Sequence, residues 1–238
     1  MKSQRQCLLK YILYMALFNR RKSQEYKQKI QMFKDNTLVF PREKLKRINL
    51  NVVGKNNTVV IKDTVNAAIN ISVFGDNNSV YIDDNVYAGW LDMVVGQNHM
   101  NFGPVHDCDV RIGKNTSFES TNIVIKNSKA KIHIGKNCMF AFNVTLYHTD
   151  SHPIFDLDTG KIINKVKTMR IGDHVWVGAN ATILKNTQIP NDCIVGWGAV
   201  VSGKFDVEHS VITGNPGKVV KTNITWDSNG SKGYVQNE

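Results

Sequence analysis

Aliphatic side chains fall at every sixth position across one stretch of this chain: Ile171, Val177, Ile183, Ile189, Val195 and Val201. A second series runs two residues ahead: Val175, Ala181, Thr187, Cys193 and Ala199, all small or β-branched. Alternate side chains of a strand share a face, so both series point inward and the residue between them points out. Two registered series at a six-residue step predict short strands separated by bends. Strands of this kind stack into a parallel β-helix, in which each coil buries its interior only against its neighbours.

The same step recurs upstream in other phases. Val53, Val59, Val65 and Ile71 form one run, and Phe74, Val80 and Val86 a second. Ile112, Phe118 and Val124 form a third, and Ile134, Phe140 and Leu146 a fourth. The phase breaks imply insertions between coils. Corners recur as Gly54-Lys55-Asn56, Gly75-Asp76-Asn77, Gly113-Lys114-Asn115 and Gly135-Lys136-Asn137, residues that tolerate the positive φ of tight turns. The expected organisation is a basic helical N-terminal segment (1–47), a β-helix domain (48–221) and a C-terminal tail (222–238).

The charge is segregated. Residues 1–47 carry 13 Lys and Arg against 3 acids, whereas 48–238 carry 17 of each. The main body is therefore neutral, which disfavours nucleic acid as its partner. Cys7 to Phe18 is apolar apart from Lys10 and precedes Arg20-Arg21-Lys22. It is too short and interrupted to span a bilayer and lacks the small-residue cleavage site of a signal peptide. An amphipathic helix is expected, either capping the open end of the solenoid or giving residues 1–47 a peripheral membrane contact. Cys7, Cys108, Cys138 and Cys193 show no metal spacing. A cytoplasmic protein, at most at the inner face of the membrane, is the resulting expectation.

The hexad lapses from Pro153 to Met169, directly after Asn143-Val-Thr-Leu-Tyr-His-Thr-Asp-Ser-His152-Pro-Ile-Phe-Asp156, and resumes at Arg170-Ile171-Gly172. A loop leaving a rigid scaffold beside a histidine is a natural binding feature. Three stretches carry a resemblance: Asn143–Asp156, Ile171–Leu184 (IGDHVWVGANATIL) and Val195–Val220 with its terminal Gly214-Asn215-Pro216. In these the chain resembles the hexapeptide-repeat acyltransferases with a left-handed parallel β-helix, in particular galactoside and maltose O-acetyltransferases and the O-acetyltransferases of sialic-acid capsules and other bacterial surface polysaccharides.

The resemblance implies an all-β fold, a homotrimer, acetyl-CoA as cosubstrate and a carbohydrate acceptor. His152 matches the family's catalytic histidine, a general base for a sugar hydroxyl attacking the thioester. Asp150 or Asp156 would orient the imidazole. The acceptor would meet Trp176, Asn143, His148 and Asn122. Trp176, outward by its place between Val175 and Val177, would also meet the pantetheine end of the coenzyme. Ala179, Trp197, Ser202 and Lys218 match the coenzyme-holding positions, and Lys204 and Lys221 join them by charge. His148, Asp150 and His152 alternate like metal ligands, but no third histidine joins them, so no metal is expected.

Departures from the family bear on the acceptor. Where the galactoside enzymes hold the sugar with asparagine and aspartate, this chain has Thr121-Asn122 and Lys129, so a simple galactoside is disfavoured. Trp197 replaces a small residue. Three other readings stay open: transfer to another acceptor (an amino sugar, serine or an antibiotic), a γ-type carbonic anhydrase, and a non-catalytic solenoid that merely binds, against which the loop after His152 and the Gly214-Asn215-Pro216 terminus argue.

Overall fold

A computed structural model of the chain describes residues 31–41, 47–64, 66–97 and 103–228. The described residues form three seven-stranded sheets that wrap one core as the faces of a prism. Face A stacks β1 (Thr37–Val39), β3 (Thr58–Ile61), β5 (Ser79–Ile82), β8 (Asp109–Ile112), β11 (Lys131–Ile134), β14 (Thr168–Ile171) and β17 (Gln188–Ile189). Face B stacks β2 (Ile48–Val53), β4 (Ile69–Phe74), β7 (Leu91–Val95), β10 (Thr121–Ile125), β13 (Val144–His148), β16 (Thr182–Leu184) and β19 (Val200–Val201). Face C stacks β6 (Tyr87–Ala88), β9 (Ser117–Phe118), β12 (Met139–Phe140), β15 (Trp176–Val177), β18 (Ile194–Val195), β20 (Ser210–Gly214) and β21 (Gly217–Thr222). Pairing is parallel throughout except at β20–β21, an antiparallel hairpin that ends the solenoid.

The inward series are placed as their spacing requires. Ile171, Val177, Ile183, Ile189, Val195 and Val201, together with Val175, Ala181, Thr187, Cys193 and Ala199, are all buried. Phe118 and Phe140 stack inside at 4.7 Å between ring centroids. Burial raises the thiols of Cys108 and Cys138 to about 11, so they behave as apolar filler.

Upstream, three positions depart from the expected orientation. Val53 is 51% exposed, and Phe74 and Val124 face outward on their strands. The reason lies in coil length. Thr182 pairs with Val200, a step of 18 residues, or three hexads. Earlier steps along face B are longer: Ile48 pairs with Ile69, Ile69 with Leu91, Thr121 with Val144, and Thr145 with Thr182. One additional residue shifts the phase after Val52 and after Val73, so a count of six runs from the outward Val53 and Phe74. At Val124 the corner is instead one residue short, since Phe118 pairs with Phe140 and Ile123 with Leu146, and the sixth residue overshoots the inward Ile123. The corner from face B to face A absorbs the two longest additions, between β7 and β8 and between β13 and β14.

The Gly-X-Asn corners form as expected, and in each the asparagine takes the positive φ: Asn56, Asn77, Asn115 and Asn137 lie between 56° and 59°. Gly135 is needed for close approach, since a Cβ there would meet the Gly172 carbonyl oxygen at 2.4 Å. A buried ladder of asparagines also runs through the first coils. The Asn57 backbone N–H and Nδ2 both donate to Asn36 Oδ1, Asn78 repeats this onto Asn57 Oδ1, and Cys108 N–H donates to Asn78 Oδ1 at 3.0 Å. The ladder satisfies amides that the tight corner would otherwise leave orphaned.

The first rung of face A, β1, falls inside the segment expected to precede the solenoid. Residues 31–35 are helical, and Met32, Leu38 and Phe40 pack against the core. The expected amphipathic helix at Cys7–Phe18 lies outside the described residues. At the other end, residues 223–228 are not a free tail: Trp226 is buried against face C.

Candidate active site

β13 delivers Tyr147 outward and His148 inward, and the chain then leaves the solenoid until β14. The loop is a braced hairpin. Phe155 bridges Ile162 in antiparallel fashion, Ile163 N–H donates to the Ile154 carbonyl at 2.9 Å, and Asp156 N–H to the Lys161 carbonyl at 2.9 Å. Its root is fixed by side chains. Asn127 and Thr149 share a 2.7 Å hydrogen bond, Ser151 N–H donates to Thr149 Oγ1 at 2.8 Å, and the Tyr147 hydroxyl meets Ser151 Oγ at 3.1 Å. Lys126 Nζ donates to the same hydroxyl at 3.4 Å. The Ser151 bond and Lys126 together hold the phenol below its ordinary pKa.

Asn164, which the sequence reading did not single out, is the hub of this loop. Its Nδ2 donates to Asp150 Oδ2 and to the His152 carbonyl, both at 2.8 Å, and its Oδ1 accepts the Ile154 N–H at 2.8 Å. One amide thus brackets His152 on both sides. Lys185 reaches in from the next coil, bonding Asp150 Oδ2 at 2.8 Å and the Asn164 carbonyl at 3.1 Å. Burial would raise the Asp150 carboxyl, but Lys185 and Asn164 outweigh it and hold the group below its ordinary range. Asp156 is engaged in its own turn, its Oδ1 accepting from the backbone and side chain of Thr159. His152 itself is exposed.

His148 does not face an acceptor. It is buried at the end of β13, with the Asn186 N–H donating to Nδ1 at 3.4 Å and Nε2 bonding the Lys167 carbonyl at 3.2 Å. It clamps both ends of the loop as a neutral ring. Burial lowers its pKa to about 4, nearby Lys185 adding to the effect and the Lys167 carbonyl opposing it. The alternation of β13 made His148 inward, and that signal was present in the sequence. Within one chain Asn143 lies away from the His152 loop, exposed beside Phe142. It sits at the other end of β13, in the corner from face C, donating to Asn180 Oδ1 at 2.8 Å. Asn122 faces outward on β10, in register with Thr145 and one rung from it.

Trp176 points outward on face C, between Met139 and Ile194. A residue not foreseen lies against it. Trp226 returns from the C-terminal segment, stacks on His174 at 4.3 Å and 8°, donates Nε1–H to the His174 carbonyl at 2.9 Å, and lies 6.1 Å from Trp176. His209 holds the approach of this segment, accepting the Ile224 N–H on its carbonyl and meeting the Ile224 carbonyl with its ring. Asp192 fixes the His174 ring from the far side at 2.8 Å. No repeat marks Trp226 in the sequence.

The residues matched to coenzyme positions separate into groups. In successive coils Phe142, Ala179 and Trp197 occupy the same place in the corner from face C to face B: Asn180 N–H bonds the Phe142 carbonyl and Gly198 N–H the Ala179 carbonyl. Phe142 is 64% and Trp197 74% exposed, while Ala179 between them is buried. The column is therefore a slot, small in the middle and aromatic on either side. At its lower end a Cβ on Gly196 would meet Thr213, and Thr213 pairs with the exposed Lys218. The order aromatic, small, aromatic, cation suits a ligand with an apolar arm and an anionic end. Phe142 was not anticipated. Ser202 and Lys204 instead follow β19, at the opposite edge of face B. Lys204 pairs with Asp206 at 2.6 Å. Lys221 lies on β21 in register with Val211 of face C.

His152 and Trp176 are not brought together within one chain. His152 leaves the corner between faces B and A, whereas Trp176 opens face C, so the breadth of face A lies between them. Among the described residues, no three His, Cys, Asp or Glu side chains gather as metal ligands, and no helix is long and apolar enough to cross a membrane.

A prism of hexad coils, interrupted by a loop that presents a histidine and closed by a glycine-bounded hairpin, is the architecture of the left-handed β-helix acetyltransferases. The chain belongs to the hexapeptide-repeat acyltransferase family. The solved structure of the polysialic acid O-acetyltransferase OatWY superposes with a TM-score of 0.65 at 34% identity, covering 81% of this chain and 87% of that one. That of the polySia-specific acetyltransferase NeuO gives 0.59 at 29% identity, over 76% and 83%. By sequence, the chain is 38% identical over 120 residues to the polysialic acid O-acetyltransferase of Neisseria meningitidis, covering 50% of this chain and 55% of that protein. The corresponding Escherichia coli O1:K1 enzyme is 34% identical over 117 residues, 49% of this chain and 38% of the relative. The matched sequence thus spans about half or less of these curated relatives. No family model matches the chain.

Proposed function

We propose that this protein is an acetyl-CoA-dependent O-acetyltransferase acting on a sugar hydroxyl of a bacterial surface polysaccharide, with a sialic-acid polymer as the first acceptor to test. The observation that carries the reading is His152 on a side-chain-braced loop, in a chain that superposes over most of its length on a polysialic acid O-acetyltransferase.

The chemistry follows from the groups at hand. The neutral His152 imidazole takes the proton of the acceptor hydroxyl as that oxygen attacks the thioester carbonyl, a role that contributes about 10²–10⁴-fold. The carbonyl oxygen becomes an oxyanion, for which the backbone N–H near Ala179 is the candidate donor. Collapse forms the ester and breaks the C–S bond. The leaving thiolate takes the proton back from the imidazolium, so His152 ends neutral. The Phe142–Ala179–Trp197 slot would hold the pantetheine arm and Lys218 a phosphate.

We further propose a homotrimer with sites between copies. Since face A separates His152 from Trp176, the His152 loop of one copy would meet the Trp176 face of the next. Two features support this: the outward column Met139, Trp176, Ile194 and Val211 on face C is largely apolar, and Ile154, Phe155, Leu157 and Ile163 stand exposed on the loop. Both are surfaces a neighbouring copy would cover.

The test is transfer of labelled acetyl from acetyl-CoA to oligosialic acid by the full chain, read by mass spectrometry before and after mild alkali. An alkali-labile acetyl on the sugar is expected. An alkali-stable amide, or transfer only to non-carbohydrate acceptors, would overturn the reading.

A further inference from the structure

The three faces of the prism differ in chemistry. The outward column of face C is largely apolar, as described. Face B presents Asn49, Asn70, Asp92, Asn122, Thr145 and Thr182 in register. Face A is different again. Its outward column reads Tyr81, Arg111, His133, Arg170 and Gln188, one residue per rung and in register. Lys131 stands beside it on the neighbouring column, and Lys129, Lys165 and Lys167 border it, all exposed.

We infer that the outer face of sheet A is an extended acceptor subsite, which grips the carboxylates of an acidic polysaccharide at a distance from the sugar being acetylated. This rests on the reading of the acceptor as a polysaccharide.

Geometry favours a linear polymer. Neighbouring strands lie about 4.8 Å apart, so Arg111 and Arg170, two rungs apart, are separated by about 10 Å along a straight line. The array is partly organised before any ligand arrives. Asp109, in the adjacent column, accepts from Ser79 Oγ at 2.6 Å, from Arg111 Nε at 2.8 Å and bonds His133 Nε2 at 2.9 Å. Its contact with Arg111 uses only Nε, and the Arg111 side chain is 65% exposed. That contact leaves the terminal guanidinium N–H groups of an exposed side chain for a planar carboxylate. Arg170 is exposed, and no carboxylate among the described residues pairs with it. Tyr81, with the Lys62 ammonium over its ring 5.5 Å from the centroid, adds a further cation above the column, and Gln188 continues it below with a hydrogen-bonding amide.

Position ties this face to the reaction. The loop carrying His152 re-enters the solenoid through Lys167 and Thr168 directly into Arg170. A polymer lying along the column would therefore pass close to the root of that loop. Charge selects the occupant: Arg111, Lys129, Lys131, Lys165, Lys167 and Arg170 outnumber Asp107 and Asp109, while Asp83 and Asp84 at the far edge are held by Lys62, so a chain with one carboxylate per sugar is attracted and a neutral glycan is not.

The experiment uses the full-length protein, the Arg111→Gln/Arg170→Gln variant, and two acceptors, a sialic-acid dimer and an oligosialic acid of about ten sugars. The variant is expected to raise KM for the long acceptor about tenfold, the loss of two charge-assisted contacts of ordinary strength. KM for the dimer, KM for acetyl-CoA and kcat should hold within about twofold, because neither arginine touches the reacting groups. Calorimetric binding of the long acceptor, which needs no turnover, should weaken by the same factor and be suppressed in the wild type by about 0.5 M salt. Equal KM shifts for dimer and long acceptor, unchanged calorimetric affinity, or equally tight binding of a single-stranded DNA of similar charge would each overturn the inference. Binding without acetylation by the wild type would instead overturn the proposed reaction while leaving this face as the polymer's seat.

Discussion

Replacing Asn164 with alanine removes one side chain that holds the Asp150 carboxylate, the His152 carbonyl and the Ile154 N–H, each at 2.8 Å. A net hydrogen bond contributes about 0.5–1.5 kcal/mol, and these three are exposed, so the low end of that range applies and the sum is at most about 2 kcal/mol. That sum does not fall on the core. The loop lies outside the stacked coils, whose stability is set rung by rung by buried neighbours. The loss therefore appears as loop opening: about 2 kcal/mol is roughly a 30-fold shift in that equilibrium. The expected outcome for Asn164→Ala is a fall in kcat/KM for acetyl transfer of about 10- to 30-fold, with Tm lowered by less than about 3 °C. Hydrogen exchange should quicken at residues 150–164 and stay unchanged in the β-strands. Activity within twofold of wild type, or a loss of Tm as large as that of a core truncation, would refute the reasoning.

Other perturbations separate the structural roles. Phe118→Ala removes half of the 4.7 Å interior stack with Phe140 and should cost about 3–5 kcal/mol, read as a fall in the denaturant midpoint. His148 has a folded pKa of about 4 against an ordinary 6.5. Its neutral form is the one the fold favours, so its contribution, about 3 kcal/mol at most, is complete above pH 6.5 and is lost as pH falls towards 4. Thermal melting from pH 7.5 to 4.5 should show this loss, and His148→Leu should show less of it. Trp226→Ala removes the stack on His174 and uncovers Trp176, so acrylamide quenching of tryptophan fluorescence should increase, and Trp226→Phe should restore much of the shielding.

The two inward series were legible because their coils contain few residues beyond the hexad, so that every sixth side chain must enter the core. Val53 and Phe74 face outward because a corner beside each carries an additional residue, and Val124 because the corner after Phe118 is one residue short; a fixed count cannot see where a corner lengthens or shortens. Around the site, the loop and its histidine were legible from a lapse in the period. Its bracing was not: Asn164 lies 12 residues after His152, and only the fold of the hairpin returns it. His148 shows the converse. The alternation from Val144 already pointed it inward, and its nearness to His152 in sequence lent it a role its burial does not permit. Asn143 belongs with Asn180 in a corner ladder, for the same reason that Asn56 and Asn77 occupy theirs. Phe142 escaped notice because its partnership with Trp197 depends on which residues stack from coil to coil, a register that sequence spacing alone does not provide here.

The central claim is that His152 is the base in an acetyl transfer. The direct measurement is the single-turnover rate of His152→Ala with acetyl-CoA and oligosialic acid, on protein whose circular dichroism and melting match the wild type. A loss of about 100-fold or more is predicted, the scale of general-base catalysis. A rate within about threefold of wild type would contradict the account.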